Sequence, residues 1–159
     1  MTATERAALV ERYRLGATLV LAALDGITEE ELDATPAAGG WSARWVVHHL
    51  ADAETMSATR LRRLLAEDEP VIHAYPEVTF AKRLRYDRPI NTSLAVVQAV
   101  RASSLELLEQ LDEPDFERSG THTEDGPYDV ATWLRTYASH AEDHAAQITA
   151  ARIGQPARL

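Results

Sequence analysis

Residues 129–153 read DVATWLRTYASHAEDHAAQITAARI. Val130, Leu134, Tyr137, Ala141 and Ile148 recur at steps of four, three, four and seven, with Trp133 beside them. That is the repeat of an amphipathic helix with one face in a core, and Gly154 and Pro156 end it. Working back along the chain, Val96, Val97, Val100, Leu107, Leu108 and Leu111 predict a helix over about 92–111 by the same spacing. Ser42 caps another that runs to about residue 67, and Leu9, Tyr13, Ala17, Val20 and Leu24 mark a first one over about 5–24. Thr28-Glu29-Glu30-Glu31 is a capping box for a very short helix, which Pro36, Gly39 and Gly40 stop.

Two connections separate these helices. Residues 68–89 hold Pro70, Pro76 and Pro89 and no sustained period, with room for one short helix around 79–86. Residues 112–128 carry turn residues at Gly120, Gly126 and Pro127. No segment alternates well enough to predict a strand, so the expectation is an all-α chain: one domain over 1–159, a four-helix bundle with long connections.

Composition narrows the function. The 159 residues carry a formal net charge of −9, which argues against nucleic acid as a partner. There is no cysteine, hence no disulfide and no thiolate ligand, and any metal must be held by imidazole, carboxylate or water. Without a basic leader or an apolar run of roughly 18 residues, the expectation is a cytoplasmic protein with no membrane partner. An apolar flank on a bundle also leads us to expect a homodimer.

The six histidines carry the rest. His73 and His122 fall in the connections and are read as surface residues. Taking roughly 100° per residue, His144 lies about 40° and His140 about 80° from the centre of the last helix's apolar stripe, on one side of it. In the second long helix the stripe is Val46, Leu50, Ala53, Leu61 and Leu64. His49 lies about 70° from it and His48 about 170°, so one ring faces in and the other out. If these two helices are neighbours, His49, His140 and His144 converge.

Two explanations compete for such a cluster. Core histidines can be satisfied by carbonyls or carboxylates, or they can share a cation that accepts one lone pair from each ring and removes the burial cost of about 1–3 kcal/mol apiece. The zincin arrangement is excluded, because Ala141 follows His140 and Glu142 is turned about 200° from it.

The run Trp41-Ser42-Ala43-Arg44-Trp45-Val46-Val47-His48-His49-Leu50-Ala51-Asp52-Ala53-Glu54 resembles the W-S, H-L-A-D-x-E signature of the DinB/YfiT-like helical-bundle superfamily. His140-Ala141-Glu142-Asp143-His144-Ala145-Ala146-Gln147-Ile148 resembles its H-x-x-x-H-x-x-Q-I signature. The resemblance implies a four-helix bundle in which His49, His140 and His144 bind a divalent metal: nickel, zinc, manganese or iron. It also implies a metal-dependent hydrolase, or a transferase using a low-molecular-weight thiol as cosubstrate. Ala141 stands where some members have Asp, so no acidic helper is carried over there.

Three neutral imidazoles leave coordination positions open, as catalytic sites do. For a small-molecule substrate, Trp45, Tyr137 and Arg101 are the candidate contacts; Asp52 and Glu54 are read as solvated, and the linker around Tyr75, Glu77 and Phe80 carries no motif. The alternatives to an enzyme are a non-catalytic small-ligand binder and a purely structural bundle.

Overall fold

The structure is a computed structural model, described here for residues 1–36 and 39–154; Pro156 lies outside them. Four long helices form the bundle: α1 (Ala3–Leu24), α3 (Ala43–Ala66), α5 (Asn91–Leu108) and α6 (Val130–Arg152). The short α2 (Glu29–Asp33) and α4 (Glu77–Arg83) sit in the connections. In the bundle α1 and α3 each pack against both α5 and α6.

Local chemistry explains the starts. Thr2, Ser42 and Asp129 each accept a hydrogen bond from the backbone N–H three residues on, satisfying donors that a helix N-terminus leaves unpaired. Thr28 and Glu31 complete the capping box of α2, with Thr28 N to Glu31 Oε2 at 2.8 Å. Arg44, buried at the start of α3, clamps that short helix by donating to Asp33 at 2.6 Å and Glu29 at 2.5 Å.

The connections depart from expectation. Val71–Ile72 (β1) pairs in parallel with Ser119–His122 (β2), which pairs antiparallel with Gly126–Asp129 (β3). These strands are two to four residues long and include Gly120 and Pro127, so no alternation could announce them. Gly120 is required, because a Cβ there would lie 2.2 Å from the Pro70 carbonyl oxygen. A 3₁₀ turn over Glu113–Glu117 precedes β2.

The core has two apolar clusters. One gathers Val20, Val46, Leu50, Val97 and Ile148, and the other Tyr13, Leu61, Leu108, Trp133 and Leu134. Between them along the helices lie Gly16 on α1, Glu54 and Ser57 on α3, Arg101 on α5 and His140 on α6. This polar layer is where helix packing gives way to chemistry.

Candidate metal centre

His49 comes from the first turns of α3, and His140 and His144 from the middle of α6 at i, i+4, a spacing that stacks two rings on one face. One nitrogen from each ring lies within 4.8 Å of the others. The ring centroids are 4.5 Å apart for His140–His144, 4.8 Å for His49–His144 and 5.6 Å for His49–His140. Trp41 packs edge-on against His49 at 5.0 Å and Tyr137 against His140 at 5.7 Å, fixing both ring planes.

The hydrogen bonding around these rings is incomplete in a telling way. His144 Nδ1 donates to Gln147 Oε1 at 2.7 Å, which leaves its Nε2 as a lone pair. That lone pair faces His140 Nε2 at 3.2 Å. The Nδ1 atoms of His49 and His140 are buried without a partner. Burial, then the neighbouring His144, pushes the His49 pKa down to about 3. Burial, then His144 and His49, takes His140 down to about 2. Burial also lowers His144, against the pull of Gln147. All three rings are therefore neutral near neutral pH; Gln147 satisfies His144, while the Nδ1 atoms of His49 and His140 meet no acceptor. A soft-to-borderline divalent cation fits this donor set.

His48 is different, and corrects the outward placement. It is fully buried, its Nδ1 2.8 Å from Ser93 Oγ and its Nε2 donating to the Arg88 carbonyl at 2.9 Å. Residues 84–93 cover the face of α3 that a one-sided helix would show to solvent, and Tyr86 stacks on His48 there. The same cover explains Asp52, expected in solvent, which accepts from the Tyr86 hydroxyl at 2.5 Å. His122 is also buried, in the β2–β3 hairpin, where its Nδ1 accepts from Asp125 N at 3.2 Å; His73 is exposed as expected.

The remaining candidates separate. Tyr137 is buried, and its hydroxyl accepts from Arg60 at 3.0 Å on the wall of a cavity next to His140. Trp45 packs on Trp41 and Tyr86 and lines neither cavity at the site. Arg101 lies in the core, 3% exposed, bonded to the fully buried Glu54 and to the Tyr13 carbonyl at 2.6 Å. Its guanidinium reaches neither cavity at the site. Two openings meet at His140: one of about 340 Å³ against Trp41, His49, His144 and Gln147, and one of about 240 Å³ against Arg60, Tyr75 and Tyr137. Glu77 lines both. Arg60, Tyr75 and Glu77 had no motif to single them out, since α4 and its flanks acquire a role only by folding over α3.

The DinB superfamily model matches residues 12–148. The chain belongs to the DinB superfamily. As a DinB-superfamily member it is 36% identical over 123 residues to a protein of Oceanobacillus iheyensis, covering 77% of this chain and 72% of that one. It is 32% identical over 130 residues to one of Bacillus cereus strain 03BB102, covering 82% and 75%. Both are named "Putative metal-dependent hydrolase". In structure it matches YfiT from Bacillus subtilis, described as "a probable metal-dependent hydrolase with an unusual four-helix bundle topology", at a TM-score of 0.89 and 26% identity over 98% of this chain and 91% of that one. The all-α bundle is thus the superfamily's fold, and no helix among the described residues is long and apolar enough to cross a membrane.

Proposed function

We propose that His49, His140 and His144 hold one divalent metal ion and that this DinB-superfamily protein is a metal-dependent hydrolase of a small molecule. The observation that carries the reading is the convergence of three neutral imidazoles, two with unpartnered Nδ1 atoms, on one point beside an open cavity. When bound, the ion supplies Lewis acidity, which polarises a scissile carbonyl or acidifies water. The chain does the positioning. Gln147 holds the His144 tautomer through Nδ1–H, a role that outer hydrogen bonds commonly play for ligating histidines. Trp41 and Tyr137 wedge the rings of His49 and His140, and the apolar cluster behind Leu50 and Ala141 excludes water from that side. The relatives named above are called hydrolases, which favours hydrolysis over thiol transfer.

Elemental mass spectrometry of untagged protein beside His140→Ala tests the site. We expect near-stoichiometric nickel, zinc, manganese or iron that the variant loses. No metal after incubation with these ions would refute it. Turnover of ester and amide panels by the metal-loaded but not the stripped protein tests hydrolysis. Metal retention without turnover would instead favour a non-catalytic ligand binder.

A further inference from the structure

The cavity of about 240 Å³ beside His140 has charges of both signs on its walls that do not pair with each other. Arg60 donates to the Tyr137 hydroxyl at 3.0 Å and to the His73 carbonyl at 2.8 Å, and forms no ion pair among the described residues. Two of its five N–H groups are thus consumed in holding it still, and three remain. Its guanidinium carbon sits 5.9 Å from the Tyr75 ring centre. Glu77 and Glu124 line the same cavity and have no cation partner among the described residues, while Asp125 is beside His122 Nδ1 at 2.9 Å. The buried Tyr75 hydroxyl lies beside the Glu77 carboxylate.

Opposite charges that line one small cavity ordinarily pair. Here Tyr137 and His73 hold Arg60 on one wall, while Glu77 projects from the first turn of α4. A simple anion would meet the two free carboxylates, and a simple cation would meet Arg60. A ligand carrying both charges satisfies each wall at once. The volume lies below the roughly 300–1,000 Å³ of drug-sized sites, which limits the ligand to a small molecule or one arm of a larger one.

We propose that this cavity is the substrate subsite and takes the amino-acid head of a small zwitterionic substrate, its carboxylate on Arg60 and its ammonium on Glu77, with the scissile bond in the part of the molecule beyond that head. The inference rests on the hydrolase reading, since it is His140 at the cavity edge that makes the ligand a substrate. Binding itself needs only the cavity walls.

The test uses matched probe sets on the full-length protein, with metal content measured on each sample. Phenylalanine, 3-phenylpropanoate (no ammonium) and phenethylamine (no carboxylate) form one set; leucine, 4-methylpentanoate and isopentylamine form the other. Isothermal titration, or chemical-shift titration where binding is weak, gives each affinity. At least one amino acid should bind at least tenfold more tightly than both of its single-charge partners. Arg60→Met should remove the preference for the amino acid over its amine, and Glu77→Gln the preference over its acid, with circular dichroism unchanged. The proposal is overturned if neither amino acid binds, if a single-charge partner binds as tightly, or if either variant keeps both preferences. Charge preferences in protein that takes up no metal would leave the subsite standing and sink the metal reading. Metal uptake without them would do the reverse.

Discussion

Replacing Arg101 by Met removes one half of the ion pair at the centre of the bundle. Glu54 is fully buried and Arg101 is 3% exposed, and the guanidinium also serves the Tyr13 carbonyl at 2.6 Å. Breaking such a pair leaves an uncompensated charge in low dielectric, a loss of about 3–5 kcal/mol. In a chain of this length each kcal/mol is worth roughly 2–4 °C, so the melting temperature should fall by roughly 6–20 °C. The loss should also depend on pH. Burial pushes the Glu54 carboxyl up and Arg101 holds it back. Without Arg101 its folded-state pKa rises further above the unfolded value. A raised carboxyl stabilises the fold below the unfolded pKa and loses that contribution as pH rises toward the folded one. The gap between variant and parent should therefore be wide at pH 8 and narrow near pH 5. Scanning calorimetry of the parent, Arg101→Met and the double variant Glu54→Gln/Arg101→Met at both pH values checks this. The double variant should recover a large part of the gap at pH 8. A single variant within 2 °C of the parent, or a gap independent of pH, would refute the assignment of a charged, mutually dependent pair.

His49→Ala and His140→Ala should lose bound metal by elemental analysis. His48→Ala should retain it while melting lower, because Ser93 and the Arg88 carbonyl are left unpaired at a cost of about 1–3 kcal/mol. Metal-free protein should lose stability as pH falls below about 6.5, because His49, His140 and His144 have lowered folded pKa values and the unfolded chain takes up the protons. The slope reaches roughly 1.4 kcal/mol per histidine per pH unit, and urea titrations at pH 7 and 5.5 that agree would contradict it. Gly16→Ala gains about 1 kcal/mol of helix propensity but places a Cβ 2.6 Å from Arg101 Nη2 and 2.8 Å from Ala141 Cβ. Since Glu54 fixes the guanidinium, overpacking of about 1–3 kcal/mol should win, seen as a lower urea midpoint.

The long helices were legible because their signal is long: over 18 to 24 residues a helical repeat separates itself from chance. The same arithmetic chose His49 over His48 as the ring facing His140 and His144, since neighbouring residues diverge by roughly 100° around the axis. It misplaced His48 and Asp52 for an equally physical reason. An angular count assumes one buried face, whereas the start of α3 is covered on both sides, by the bundle and by residues 84–93. Glu54 is expected in solvent and Arg101 at a substrate, because charged residues are rarely buried unless paired. Their pairing joins positions 47 residues apart, which no local pattern encodes.

Sequence alone therefore determined the long helices, the caps at Ser42 and Thr28 and the faces on which His49, His140 and His144 lie, because each rests on spacing within a single helix or on a signature that resembles one superfamily. Tertiary structure decided the three-stranded patch, the burial of His48, and the cavity that sets Arg60 opposite Glu77. Those features arise from contacts between segments far apart in the chain, where the energy lies in burial and unmet hydrogen bonds and leaves no periodic trace in the residues themselves.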